Sequence, residues 1–113
     1  MNVETIREDG QEMDQIMQMI LLAGDAQTAA LGAFDCIADG RYGEAESKLT
    51  EARKSISQAH RIHAGFLTQV ADMQPNVLLI HALDHLTMAT IYTTLAEKMA
   101  AVVKKMEERG TNK

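Results

Sequence analysis

The sequence predicts an all-α protein, a three-helix up-down-up bundle, and three observations carry that prediction. Apolar residues recur at three- and four-residue steps through three long stretches, the spacing of one helix face. Hydrophobic residues make up 46% of the chain but aromatics only 4%, with eight Met and a single Pro, a mix that suits packed helices better than sheet. Only two stretches read as breaks, Asp39–Gly43 and Ala71–Asn76, and both are short enough to join antiparallel neighbours. At 113 residues the chain makes one domain, 1–113, able to bury roughly two-thirds of its unfolded surface.

The first helix is expected over about 11–38, after a polar, flexible segment 1–9. Met13, Ile16, Met17, Ile20, Ala23, Ala30, Phe34 and Ile37 set its period, and between Ile16 and Phe34 only Asp25 is charged. Gly24 and Gly32 lie inside it, each costing about 1 kcal/mol relative to Ala, and suggest a close backbone approach or a kink. Gly40 is placed to take the left-handed cap. The second helix, about 42–70, carries the stripe Ala45, Leu49, Ala52, Ile56, Ala59, His63, Phe66 and Val70. Its opposite face bears Glu44, Glu46, Lys48, Glu51, Arg53, Lys54 and Arg61, so it has one wet side. Pro75 and Asn76 then mark a stop and a cap, and the third helix is expected over about 77–107, with 110–113 flexible.

The helices differ in a way that predicts assembly. A lone three-helix bundle leaves each helix a wet face, yet the first and third have almost none over their middle portions. Surface that apolar needs more than two neighbours, and another copy of the chain is the nearest source, giving a homo-oligomer with the first and third helices inside. The run Met73–Ala96 is long enough for a membrane span, but Asp84, His81 and His85 lie at mid-depth, where a charge costs at least a few kcal/mol. Asn2–Gln15 is polar and acidic rather than a secretory leader, so a soluble, cytoplasmic protein is expected. A net charge of −5 disfavours nucleic acid, and the single Cys36 excludes an internal disulfide or a zinc cluster of cysteines.

The chemistry concentrates at His81-Ala82-Leu83-Asp84-His85. His81, Asp84 and His85 stand at i, i+3 and i+4 and share a helix face, amid Val77, Leu78, Leu79, Ile80, Leu86, Met88 and Ile91. His60 and His63 end the second helix at a similar height. Three readings stay open on these residues. One is a metal site, with His81, Asp84 and His85 at one-turn spacing and His63 as a further ligand. Another is nucleophilic chemistry on phosphorus, since a neutral imidazole is a good nucleophile near pH 7 and an apolar surround keeps water from a phosphohistidine. The last is structural: Asp84 copies meeting on an assembly axis would share protons or bind a hard cation such as Mg²⁺.

Gly24-Asp25-Ala26, Asp39-Gly40-Arg41-Tyr42, Ala45, Ala59-His60 and above all His81-Ala82-Leu83-Asp84-His85-Leu86 together form a recognisable pattern. On these residues nearly the whole chain resembles the lactose/cellobiose-type IIA component of the bacterial phosphoenolpyruvate-dependent sugar phosphotransferase system. It implies a homotrimer of three-helix bundles. It implies that His81 takes a phosphoryl group from HPr and passes it to a cysteine of the cognate IIB, and so indirectly serves the membrane IIC component. By the same resemblance Asp84 binds a divalent metal, Mg²⁺, near the trimer axis, His85 is a neighbouring site residue, and no organic cofactor is needed. The chain departs from the family pattern at Leu83 (usually Gln), Thr87 (often Met), His63-Ala64 (typically Gln-Thr) and Gln27 (an arginine). The changes at Leu83 and Gln27 imply lost hydrogen bonds around the phosphoryl group or His81, with His63 either a replacement or a satisfied core histidine. The alternatives are a regulatory or scaffold bundle of this fold without phosphoryl transfer, and a metal-binding helical protein.

Overall fold

In the computed structural model the described residues form three helices, α1 Val3–Ala38, α2 Tyr42–Leu67 and α3 Val77–Thr111. The structure describes residues 3–67 and 77–111, with side-chain surroundings for 11–66 and 77–110. The break expected at 71–76, with Pro75 and the Asn76 cap, lies outside the described residues, as do 68–70 of the expected second helix.

Two helix ends differ from expectation. α1 begins at Val3 rather than near residue 11, and α3 runs to Thr111, past 107 and through Gly110. The apolar period stops at those points, but helix formation does not require it. Glu4, Arg7, Glu8, Gln11 and Glu12 at one end, and Lys104, Lys105, Glu107 and Glu108 at the other, are good helix formers by type. α1 also continues through both interior glycines. A Cβ on Gly24 would meet nothing within 4 Å, whereas on Gly32 it would meet the Lys48 side chain at 3.2 Å.

The turn between α1 and α2 follows the sequence closely. Gly40 has φ +77°, a conformation an L side chain rarely adopts. Its N–H donates to the Ile37 carbonyl at 3.1 Å and the Arg41 N–H donates to the Cys36 carbonyl at 2.8 Å, satisfying carbonyls that the helix end leaves open. The Arg41 guanidinium then reaches both Asp39, at 3.2 Å, and Glu44.

α1 is the common partner of the other two helices, and α2 and α3 touch each other less extensively. Ala23, Ala26, Ala52, Ala59, Ala82 and Ala89 are fully buried, and such small residues let helix axes approach closely. Ile16, Met19, Ile56, Phe66 and Leu86 fill the space between these contacts. Ala33, Cys36, Ile37, Ala45, Leu49 and Ala96 form a second cluster toward the α1–α2 turn. At that end α3 is tied down by polar pairs: Tyr42 donates to Glu107 at 2.7 Å, and Arg53 donates to Glu97 at 2.9 Å and to Thr94 at 3.0 Å.

Within one protomer the missing wet faces of the first and third helices appear as exposed apolar residues. Val77, Ile80, Met88, Ile91, Leu95, Met99, Val102 and Met106 are exposed, and on α1 so are Met13, Met17, Leu21 and Leu31. At roughly 100° per residue the α3 set forms one outward stripe, with Asp84 in its middle. α1 alone, over Gln11–Ala38, is long and apolar enough to cross a membrane among the described residues, and it supplies much of the bundle core.

Candidate functional site

The site is built at the start of α3 on the side turned toward α1. α3 orients its apolar residues Ala82, Leu86 and Ala89 inward, and that rotation fixes where every other side chain goes. His81 and His85 fall on the flank nearest α1, His81 exposed and His85 half-buried, while Asp84 is exposed on the outward stripe.

The two imidazoles meet directly. His85 Nε2 lies 3.0 Å from His81 Nε2, with ring centroids 4.5 Å apart and planes at 87°. Behind His85 stands Gln27 of α1. Its side-chain amide nitrogen donates to the His85 carbonyl at 3.1 Å and lies 3.5 Å from His85 Nδ1. The sequence treats Gln27 only as the loss of an arginine, yet here it holds the α1–α3 seam together beside the site. No periodicity within one helix reports such a pairing, because it depends on how two helices are rotated against each other.

His63 and His60 lie elsewhere. With Leu83, Leu86, Thr87, Thr90 and Ile91 they line a groove of about 350 Å³ between α2 and α3. Leu83 is two residues from His81 and so on nearly the opposite side of the helix. The two histidines of α2 therefore border the groove on one side of α3, and the His81–His85 pair lies on the other. Within a protomer His63 is not beside His81, and the change at Leu83 alters the α2–α3 groove instead of the surroundings of His81. Thr87 and Thr90 donate to the Leu83 and Leu86 carbonyls at 2.9 and 2.8 Å, leaving that groove largely apolar.

Among the described residues no three of His, Cys, Asp or Glu stand together as a metal-binding group. His81, Asp84 and His85 share a helix face as expected, but Asp84 points along the outward stripe while the histidines face each other. A hard cation suits carboxylate oxygens, and one protomer offers a single carboxylate there, so Asp84 fits such an ion only where copies of the chain converge.

Comparison with known proteins agrees with this architecture. Residues 14–104 match the family model for the PTS system lactose/cellobiose specific IIA subunit. The chain is 31% identical over 98 residues to the galactose-specific EIIA component of Lactococcus lactis subsp. cremoris, covering 84% of each chain. It is 30% identical over 107 residues to the lichenan-specific phosphotransferase enzyme IIA component of Bacillus subtilis, covering 90% of this chain and 97% of that one. Among solved structures, the PTS cellobiose specific enzyme IIA from Bacillus anthracis superposes with a TM-score of 0.79 at 30% identity, over 86% of this chain and 92% of its own. With a three-helix fold, a paired-histidine site and a match over most of its length, this chain belongs to the lactose/cellobiose-specific IIA family, as a phosphotransferase relay subunit of the sugar phosphotransferase system in disaccharide uptake.

Proposed function

We propose that His81 is the phosphoryl carrier of this relay, taking the group from phospho-HPr and handing it to a cysteine of the cognate IIB component, in the cytoplasm. The observation that carries this assignment is the exposure of His81 beside a partly buried imidazole partner. A carrier must be reachable by two macromolecules in turn, and its ring must be held so that one nitrogen faces the incoming phosphorus. His85, half-buried and engaged by Gln27, is the supporting residue.

The working form in this proposal is a homotrimer built on the outward stripes of α1 and α3. Among the described residues twelve large apolar side chains are exposed on these two helices, and a concentration of exposed apolar residues marks an interaction surface. α2 turns its charged face outward in the same protomer, which supports α1 and α3 as the inner helices. Asp84 would then converge with its copies, and a divalent cation such as Mg²⁺ held by those carboxylates would offset their mutual repulsion. The step from phospho-HPr to His81 exchanges one phosphoramidate for another, so positioning rather than driving force sets its rate.

Incubation with phosphoenolpyruvate, enzyme I and HPr tests the assignment. The wild type is expected to gain one acid-labile phosphate per chain, His81→Ala none, and His85→Ala some at a reduced rate. A wild type that takes up no phosphate from phospho-HPr would overturn the assignment and favour a bundle that keeps the fold without transfer.

A further inference from the structure

We propose that Gln27 is a positioning residue that sets the tautomers of both histidines, and so leaves the nucleophilic lone pair on His81 Nε2; this rests on His81 being the phosphoryl carrier. The chain of constraint begins at a backbone atom. A carbonyl oxygen only accepts, so the Gln27 group 3.1 Å from the His85 carbonyl is the amide nitrogen, not its oxygen. That nitrogen carries two hydrogens. One goes to the carbonyl, which leaves the other for His85 Nδ1, 3.5 Å from the same nitrogen.

An amide N–H only donates, so His85 Nδ1 is the acceptor and its ring proton sits on Nε2. His85 Nε2 in turn faces His81 Nε2 at 3.0 Å. Two N–H groups cannot face each other, so His81 Nε2 accepts and the His81 proton resides on Nδ1. One contact from α1, 58 residues away in sequence, is thereby transmitted through two rings to the reacting atom.

The consequence for transfer is specific. His81 Nε2 holds the ring's available electron pair and uses it to bond to phosphorus, as the donor's P–N bond breaks and the donor imidazole leaves with the electrons of that bond. The proton on His81 Nδ1 stays in place throughout. The His85 Nε2–H, released from the lone pair it was holding, is left facing the phosphoryl oxygens, where a donor offsets their charge. The reverse arrangement, with His81 protonated on Nε2, would present an N–H to the incoming phosphorus and no nucleophile.

Imidazole nitrogen shifts in ¹⁵N-histidine-labelled protein, recorded in alkaline buffer with both rings neutral, test this without any phosphate present. The wild type is expected to show His85 protonated on Nε2 and His81 protonated on Nδ1. Gln27→Met keeps the bulk of the side chain and removes the donor. Loss of one net hydrogen bond should change the tautomer ratio of the pair by about fivefold, moving both sets of shifts toward the average of the two forms. The same variant should lose about as much in the maximal rate of phosphorylation by phospho-HPr, with little change in the HPr concentration at half-maximal rate. A wild-type His81 carrying its proton on Nε2 overturns the inference whatever the variant does. Shifts in folded Gln27→Met identical to the wild type overturn it as well. The outcomes separate cleanly: a protein with the stated tautomers that takes up no phosphate contradicts the carrier role alone, and one that labels with the opposite tautomers contradicts only the role of Gln27.

Discussion

Leu95→Glu puts a charge in the middle of the exposed α3 stripe, and its cost follows from how much of Leu95 the protomer leaves uncovered. Leu95 is 52% exposed. Full burial of a leucine is worth about 1.5–3 kcal/mol, so covering the remaining half contributes about 1 kcal/mol per protomer on assembly. A carboxylate in the same place forfeits that and adds a desolvation cost of several kcal/mol where no partner meets it. The total is at least about 4 kcal/mol per protomer, which weakens each contact roughly a thousandfold. In the isolated protomer about half of the side chain is already covered, so the fold itself should lose no more than about 1 kcal/mol. Light scattering coupled to size exclusion is the assay. The wild type is expected at about three times the 12.4 kDa chain mass and the variant at the mass of one chain, with matching circular dichroism. A wild type that elutes as a single chain at micromolar concentration, or a Leu95→Glu protein that stays assembled, would refute the reasoning.

Three further outcomes follow from particular residues. Asp84→Leu removes like charges from the stripe and adds apolar surface, so the assembly should persist, and EDTA, expected to promote dissociation of the wild type, should leave the variant unchanged; monomers in its place would contradict converging carboxylates. Gly24→Ala, made in the monomeric Leu95→Glu background, should raise urea stability by about 1 kcal/mol, because the added methyl meets nothing and the helix gains propensity; a lower midpoint would contradict the open surround of Gly24. Tyr42 donates to Glu107, and that hydrogen bond, with burial and the carboxylate's charge behind it, raises its phenol above the ordinary tyrosine value of 10.0. A pKa raised on folding favours the protonated form, so the stabilisation is full below the unfolded phenol's value and is lost as pH rises through the folded one. In a Tyr92→Phe protein, phenolate absorbance should therefore titrate late, and titration at or below the ordinary value would contradict the contact.

The fold was legible because each device that builds it is local. Gly40 ends α1 in the left-handed conformation expected of it, and the Ala45–Phe66 stripe of α2 is the face that packs. Helix ends were read less well, since charged residues such as Glu4, Arg7 and Glu108 extend a helix without leaving an apolar signature. The outward stripes of α1 and α3 were visible as missing wet faces. Their exposure in the protomer turns that sequence oddity into a surface of named residues. The site was legible in part. The i, i+4 spacing of His81 and His85 puts the rings within reach from helix geometry alone, and the structure brings them to 3.0 Å. The division of His60 and His63 from that pair, and the contact from Gln27, depend on the relative rotation of helices, which one helix's periodicity does not encode. The identity of Gln27 looked like a loss because an arginine was the expected residue, while its consequence lies in which atoms it faces.

Locating the phosphate on the labelled chain tests the central assignment most directly. After phosphorylation through enzyme I and HPr, the protein is digested in alkaline solution, which preserves phosphoramidates, and the modified residue is identified by fragmentation mass spectrometry. The expected result is phosphate on His81 and on no other histidine of the chain. Phosphate on His85, His63 or His60 with His81 unmodified would contradict it.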